Sequence, residues 1–446
     1  MSLADLVSIT ISRNSRTPTR AGFGTMLLLA NAVPANWGAN RVRTFGSPSD
    51  VTALGIATTD PIYLAVSKAF AQSPAPTSVK VARRALPSTR LVDLTVPDAT
   101  AGRVYAFTCD GKAISYTVLP AATTSTVATA IAALIAGGTQ GATATAAAAV
   151  ITVTAPAGKV FDVSGFAQAG TLNGVQDVGL ALHDRSVDAG IATDLGNVNA
   201  EDHDWYGLAL DVGSGAEIVA AAAWCESNGK IGVFDTSDTA CEDPASTTDP
   251  LYLLQQSTDV RSGGIFSNTN LLHYSSAAWF GSRLTVQPGS DTWAFKALAT
   301  VTVSRLTVAQ HNAILAKNGN TYESIVGLAC TFPGKTASGE YFDVVRGIDW
   351  LTSEIQTRVF GLLANAQKVP YTDSGADMVV SQVKSALADG VKAGLLAADP
   401  KPTCTAPLVS SIDPTVRATR NLPGVLFGAN LAGAIHAVTI NGNVSV

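Results

Sequence analysis

Charged residues are scarce in this chain. Asp, Glu, Lys and Arg make up 14% of its 446 residues, well below the usual quarter, and the mean hydropathy is +0.25. The net charge is −5 and no long run of Lys or Arg occurs, so the sequence lacks the basic surface that nucleic-acid binding requires. Such a composition favours extensive contact with other chains, because large exposed apolar surfaces usually mark interfaces. A large, alanine-rich core is the alternative interpretation.

Cysteines and long apolar runs are also rare. The chain has five cysteines, none in C-x-x-C spacing: Cys109, Cys225, Cys241, Cys330 and Cys404. This argues against a zinc module or a disulfide scaffold and favours buried thiols in a reducing cytosol, with a disulfide to a partner chain left open. No apolar run reaches 18 residues, so no transmembrane helix is expected. The N-terminus also lacks the basic and then apolar pattern of a signal peptide.

Both ends of the chain carry short alternating patterns. Val7, Ile9 and Ile11 alternate with polar residues, which predicts a half-buried strand, and a polar linker separates it from the next apolar run. Near the other end, His436, Val438 and Ile440 alternate with Ile435, Ala437 and Thr439. The sequence therefore predicts two terminal strands that stand apart from the body of the protein.

The interior predicts a mixed α+β fold with several domains. Residues 91–165 contain short strand patterns and one helix pattern, which indicates an inserted β-rich domain. From residue 205 to residue 266, strand and helix patterns alternate, which is typical of an α/β core. The predicted domains are an arm with its linker at 1–20, a core at 21–90 and 166–320, the insertion at 91–165, and a C-terminal domain at 321–446.

The last third predicts a hairpin and two helices. Residues 322–346 predict a strand pair across the loop PGKTASG, with helices after it at 349–363 and around Val379–Val391. Trp293–Leu298 is also predicted to be helical. Asp349 is predicted near a helix start, where a carboxylate meets free N–H groups. Glu354 and Arg358 have the spacing of an ion pair within one helix.

Three patterns approach catalytic motifs without completing them. Gly334-Lys335-Thr336 resembles the end of a P-loop, but Ala329 stands where the first glycine is needed. The strand, GSG turn, helix and Asp235 within 206–235 approach a dinucleotide-binding fingerprint, but Ile218 replaces its third glycine. The acids around His183 and around His203 have no metal-ligand spacing and fit polar loops. We therefore predict no catalytic residues, no metal and no cofactor.

The order of several segments resembles the contractile tail sheath proteins of bacteriophages and related phage-tail-like particles. The matching segments are 306–325, 339–360, 368–387 and 421–446, together with the N-terminal strand and RAGFGTMLLLA at 20–30. They cover about half of the chain. Residues 91–165 resemble the variable outer insertion of that family only by position.

The resemblance implies a structural subunit that forms a helical sheath around a tail tube and contracts to drive the tube through the host envelope. It also implies that terminal strands join a strand pair of neighbouring subunits. The donors would be Val7, Ile9 and Ile11, with His436, Val438 and Ile440. The acceptor hairpin would include Ile325, Gly327, Tyr341, Asp343 and Val345.

The expected partners are further copies of this chain, the tail tube protein, and baseplate and tail terminator proteins, without direct nucleic-acid binding or membrane insertion. Lys384 and Lys392 are the basic residues of the second helix and are candidates to face an acidic tube; solvent-exposed lysines are the alternative. The expected location is the virion, after assembly in the host cytoplasm. Two other hypotheses are a nucleotide-dependent α/β enzyme using 206–235 and a surface adhesin suggested by the Thr/Ala-rich insert.

Overall fold

The computed structural model describes 23–31, 37, 40–84, 91–109, 112–138, 142–154, 163–164, 171–172, 175–176, 179–184, 190–211, 213–268 and 274–442. The predicted N-terminal strand with Val7, Ile9 and Ile11 lies outside these residues. The helices are α1 Pro48–Ala53, α2 Pro61–Phe70, α3 Thr124–Ala136, α4 Ile191–Glu201, α5 Gly215–Asn228, α6 Pro250–Ser257, α7 Ser275–Arg283, α8 Val308–Ala316, α9 Phe342–Asn365, α10 Asp373–Lys392 and α11 Pro414–Ala418.

The strands follow in the same chain order. They are β1 Met26–Ala30, β2 Val42–Phe45, β3 Val79–Arg83, β4 Leu91–Thr95, β5 Val104–Cys109, β6 Lys112–Thr117, β7 Thr143–Ala147, β8 Val150–Thr154, β9 Val163–Ser164, β10 Thr171–Leu172, β11 Val175–Gln176, β12 Ala181–Asp184, β13 Gly207–Leu210, β14 Ile231–Thr236, β15 Ser262–Phe266, β16 Asn320–Ile325, β17 Leu328–Phe332, β18 Thr403–Thr405 and β19 Leu426–Gly428.

An eight-stranded sheet organises the core, in the order β17-β16-β15-β14-β13-β1-β3-β2. Its six central strands are parallel, and an antiparallel strand closes each edge. Central strand β1 is buried along its whole length, as expected for a parallel strand covered on both faces. The mixed α+β class and the α/β core predicted from the sequence are confirmed.

Alternating side chains of β1 divide the core into two layers. Met26 and Leu28 face α2 and α7, whereas Leu27 and Leu29 face α4 and α5. The helices that cover the sheet begin at strong local signals. In α2, the Asp60 carboxylate accepts a hydrogen bond from the Ile62 N–H at 2.8 Å, and proline occupies the first turn.

A second, smaller core lies within the described residues between Leu91 and Asp184. Helix α3 packs against antiparallel strands in the orders β12-β4-β8-β7 and β6-β5-β9. Strand β12 pairs with β4 over Ala181–Asp184, so this unit includes residues beyond 165, where the predicted insertion ended. Its core is built from Val, Ile and Ala with few charges, which agrees with the composition of the segment.

The predicted strand at 339–346 is wrong, because Phe342–Asn365 is one helix. Phe342, Val345 and Arg346 recur at helical spacing and are buried, and Phe342 stacks on Trp293 with ring centroids 4.9 Å apart. A short apolar run suits either a strand or a helix, and here packing of Phe342 in the aromatic core favours the helix. The hairpin consists of β16 and β17 alone, so Tyr341, Asp343 and Val345 do not belong to it.

Two further expectations are corrected. Trp293–Leu298 is not helical; its backbone instead bonds to β17, where the Phe295 N–H donates to the Thr331 carbonyl at 2.7 Å. Residues 434–440 are not in a strand in this single chain; the short strand β19 precedes them and pairs with β18. The alternating pattern in that segment therefore has no sheet partner among the described residues.

Candidate assembly interface

Exposed apolar side chains are concentrated in the C-terminal third. Of the 19 large hydrophobic residues that are exposed within the described part of the chain, 14 lie from Ile325 onward. They lie on the β16–β17 hairpin, on α9 and α10, at Leu408 after β18, on β19 and in the final segment. A water-exposed surface of this kind is unfavourable for a single subunit unless another chain covers it.

The final segment, 430–442, leaves the body as an arm. The Ala432 N–H donates to the Leu395 carbonyl at 2.9 Å, and the Ala397 N–H donates to the Asn430 carbonyl at 2.8 Å, which fixes the start of the arm. Beyond this point the predicted donor residues Val438 and Ile440 are 72% and 85% exposed. The arm therefore presents apolar side chains and unpaired backbone at the surface.

His436 is the exception in this arm because it contacts the body of its own chain. Its Nε2 lies 2.9 Å from the Thr292 hydroxyl, and its ring meets those of Phe295 and Tyr341 edge-on, with centroids 5.6 and 4.9 Å away. Burial lowers the pKa of His436, and the Lys335 ammonium lowers it further. The neutral imidazole is therefore the form that suits this contact.

Strands β18 and β19 form an isolated two-stranded sheet. Each strand has three residues, and the register joins Thr403 to Gly428 and Thr405 to Leu426. No third strand pairs with either of them in the part of the chain that the structure describes. A two-stranded sheet is marginal by itself, and its outer edges are suited to accept a further strand.

A groove of about 720 Å³ runs between this small sheet and α10. Leu387 and Val391 of the helix line one side, and the buried Cys404 lines the other. Lys384 and Lys401 give the groove a positive charge. Burial raises the pKa of the Cys404 thiol, and the Lys384 charge lowers it in part. The groove is suited to an apolar segment with acidic or polar flanks.

The hairpin predicted as the acceptor belongs to the large sheet and not to the small β18–β19 sheet. Ile325 and Gly327 lie at its exposed tip, at the outer edge of the large sheet. The free edge of β17 is occupied near its end, because the Thr331 N–H donates to the Lys296 carbonyl and its carbonyl accepts from Phe295. Asp343 lies on α9, and burial raises the pKa of its carboxyl to about 6.

Helices α9 and α10 join this surface to the core. Asp349 is not at a helix start as expected; it lies inside α9, where Arg261 binds both carboxylate oxygens at 2.6 and 2.9 Å. The buried Tyr206 hydroxyl donates to the same carboxylate at 2.6 Å. The predicted pair of Glu354 and Arg358 is confirmed at 3.2 Å, and Arg358 also reaches Asp389 on α10.

The two lysines proposed to face a tube do not share one recess. Lys384 lines the groove beside β18, whereas Lys392 lines a separate recess with Asp291 and Asp343. Lys392 is 79% exposed and pairs with Asp389 at 3.2 Å. The structure therefore places the two positive charges on the same helix but in different surroundings.

The crevice of the near-fingerprint at 206–235 is filled by the protein itself. It lies where the strand order reverses, between β1 and β13, which is the usual ligand position in such sheets. Ser214 caps α5, and the Glu217 carboxylate folds back onto it and pairs with Arg84. A carboxylate thus occupies the helix N-terminus that a phosphate would need.

Neither a metal-binding cluster nor a membrane-spanning helix occurs among the residues that the structure describes. No group of three or more His, Cys, Asp or Glu side chains is arranged to hold a metal ion. No helix in the described ranges is long and apolar enough to cross a membrane. All five cysteines are buried thiols, as the composition predicted.

Comparison with known proteins supports the predicted resemblance. Residues 342–400 match a family model described as the C-terminal domain of E217 tail sheath protein gp31-like proteins. This segment contains α9, α10 and the approach to β18. The helical sheath of the anti-feeding prophage in its contracted state aligns over 98% of both chains, with a TM-score of 0.51 and 12% identity. This chain has the fold of a contractile sheath protein.

A second sheath structure agrees. The contracted sheath complex of PVC, an extracellular contractile injection system, covers 98% of this chain and is itself covered to 97%, with a TM-score of 0.53 and 9% identity. No curated protein matches the sequence significantly. At such identities the sheath structures establish the shared fold, and the resemblance to tail sheath proteins stated from the sequence is confirmed.

Proposed function

We propose that this chain is the structural subunit of a contractile sheath. Many copies assemble helically around a tail tube, and the sheath shortens to drive the tube through a host envelope. The observation that carries the proposal is the sheath fold, which extends over nearly the whole chain, together with an apolar arm that its own subunit leaves uncovered. The role is mechanical and non-enzymatic, and it requires no cofactor.

Strand exchange between subunits is the proposed linkage. The donors are the N-terminal segment with Val7, Ile9 and Ile11 and the C-terminal arm with His436, Val438 and Ile440. We take the β18–β19 sheet as the acceptor, because its edges are open and a groove lies beside it, whereas the edge of β17 is partly occupied. Added strands would extend a marginal two-stranded sheet, which stabilises both partners.

The proposed particle contains further partners. The sheath surrounds a tube protein and meets baseplate and terminator proteins at its ends, in a virion or tail-like particle assembled in the host cytoplasm. Lys384 and Lys392 are proposed to face the tube. Because Lys384 also lines the proposed acceptor groove, the test uses Lys392 alone: reversing its charge should weaken assembly on an acidic tube but leave tube-free assembly intact, and unchanged binding to the tube would exclude this role for Lys392.

The arm supplies a matched test of strand exchange. Val438→Asn with Ile440→Asn changes the face predicted to be buried, whereas Ala437→Asn with Thr439→Asn changes the alternate face. Negative-stain microscopy of each purified protein should show hollow tubes for the unchanged chain and the second variant. The first variant, and a chain lacking residues 1–13, should remain as single subunits.

Either of two outcomes would contradict the proposal. Equal assembly by both arm variants would show that the arm does not add as a strand with one buried face. Compact single particles from the unchanged chain, at all concentrations and in the presence of its tube, would exclude the sheath function itself. The two results are separable because the second does not depend on any substitution.

A further inference from the structure

The tip of the β16–β17 hairpin, Ile325–Leu328, is unusually apolar for a turn in water. Val326 is 99% exposed, Leu328 74% and Ile325 40%. The remaining residue, Gly327, has no side chain, and Ser324 and Ala329 on either side carry no charge. The tip therefore presents a continuous apolar surface at the edge of the large sheet, and Val326 has almost no contact to its own chain.

The backbone of the tip makes this choice of residues costly. The hairpin closes in two residues, and both have positive φ: 50° at Val326 and 84° at Gly327. Turns of this type strongly prefer Asn-Gly or Asp-Gly, because the first position must also adopt the left-handed conformation. A β-branched residue there is a genuine outlier. Asn would suit both the backbone and the solvent better than Val326 does.

A residue that is both strained and exposed has an unfavourable conformational energy, which a favourable contact elsewhere must offset. A side chain that is 99% exposed makes almost no contact within its own subunit, so the gain cannot come from the fold of that subunit. Burying an apolar side chain in a partner would supply it. The absence of charge across 324–329 further favours an apolar recess over a polar surface.

We propose that the Ile325–Leu328 tip is a contact surface for a second copy of this chain, which receives Val326 and Leu328 in an apolar recess. The inference rests on the proposed function, since a helical sheath brings copies of the chain into contact. It is independent of strand exchange, because the tip contributes side chains to the neighbour and not a paired strand. The hairpin then serves as a knob, whereas the terminal segments serve as linkers.

A substitution that improves the turn should therefore damage assembly. Val326→Asn creates the preferred Asn-Gly turn and should raise the thermal midpoint of the isolated subunit by about 1–2 °C. It should also raise the protein concentration needed for tube formation by about tenfold, because one buried apolar contact per interface is lost. Val326→Thr keeps the branched shape and should weaken assembly without a gain in stability.

Ala148→Asn provides the matched control. Ala148 also has a positive φ of 50° in a two-residue hairpin turn, between β7 and β8, and it is exposed. Its turn partner Ala149 lacks a positive φ, so this turn is not of the Asn-Gly type. Asn still tolerates a positive φ better than Ala does, so the change should leave the subunit at least as stable and the concentration for tube formation unchanged. A benzophenone amino acid at position 326 should give covalent dimers of this chain on irradiation of the tubes.

The outcomes separate this inference from the proposed function. Tubes from the unchanged chain and from Val326→Asn at equal concentrations would overturn the inference and leave the sheath function standing. A lower thermal midpoint for Val326→Asn would show that Val326 serves its own subunit, and would also overturn it. Failure of the unchanged chain to form tubes, alone or on its tube, would refute both.

Discussion

Replacing Asp349 by Asn should lower the free energy of unfolding, because this residue ties helix α9 to the core. The size of the loss follows from the contacts of its carboxylate. Arg261 binds both oxygens of this carboxylate, and the buried Tyr206 hydroxyl donates to it. Asn cannot offer two charged acceptors, so the guanidinium stays in place with 21% exposure and only the more distant Glu226 carboxylate as counter-charge. Removing one partner of a buried pair costs about 3–5 kcal/mol, and the partial exposure lowers the expected loss to about 2–4 kcal/mol.

The assay is urea-induced unfolding followed by tryptophan fluorescence, since Trp279 and Trp293 pack against the start of the same helix. Glu354→Gln is the matched control: it removes an acid from the same helix, but its pair with Arg358 is about one-third exposed. That change should cost only about 0.3–0.5 kcal/mol. Equal losses for the two variants would refute the reasoning.

A double variant tests the cause of the loss. Arg261→Met removes the charge that Asp349→Asn leaves unpaired, while Asn still accepts the Tyr206 hydroxyl. The double variant should therefore recover much of the stability lost in the single variant. A loss that simply adds the two single effects would show that packing, and not the unpaired charge, determines the cost.

Three further predictions concern packing and pH. Gly281→Ala should destabilise the protein by about 1–3 kcal/mol in thermal unfolding, because the added Cβ would lie 2.4 Å from the Ala69 carbonyl oxygen. Gly196→Ala in helix α4, where the added Cβ has no neighbour within 4 Å, should stabilise it by about 0.5–1 kcal/mol. A loss of stability in both variants would contradict this. The lowered pKa of His436 means that its docked, neutral form persists above the ordinary pKa and is lost as the pH falls below it. Proteolytic cleavage within 433–442, measured relative to His436→Ala at the same pH, should therefore rise toward that of the variant on acidification, and a constant ratio would contradict this. Burial raises the pKa of Asp235 to about 6, above its unfolded value, so this carboxyl adds stability as the pH falls from 7 to 4.5. Over that range the unchanged chain should gain about 2 kcal/mol in urea unfolding relative to Asp235→Asn. The same pH dependence of stability in both proteins would exclude the raised pKa.

The α/β core and most helices were predictable because their signals are local. Asp60 followed by a proline marks the start of α2, and the period of apolar residues marks α3 and α10. The near-fingerprint at 206–235 was predicted as a strand, helix and strand, and this is what forms. Its failure to match a nucleotide site was also visible in the sequence, at Ile218.

Long-range contacts explain why some local predictions from the sequence are wrong. The apolar residues around Phe342 suit a strand or a helix equally, and the ring of Trp293, distant in sequence, favours the helix. The partner of Asp349 is 88 residues away in the chain, so an ion pair in place of a helix cap was not foreseeable. The positive φ of Val326 also had no sequence signal, because the residue present is the one that such turns avoid.

The sequence by itself determined the alternating layers of the core, the low surface charge and the apolar alternation of the C-terminal arm, since each depends on residue type and spacing along a short stretch. The tertiary structure alone decided which groups those stretches meet. It placed β18 and β19 as an open pair beside a groove, packed His436 against Tyr341, and left the hairpin tip uncovered. These features arise from contacts between residues far apart in the chain, which periodicity along one segment does not encode.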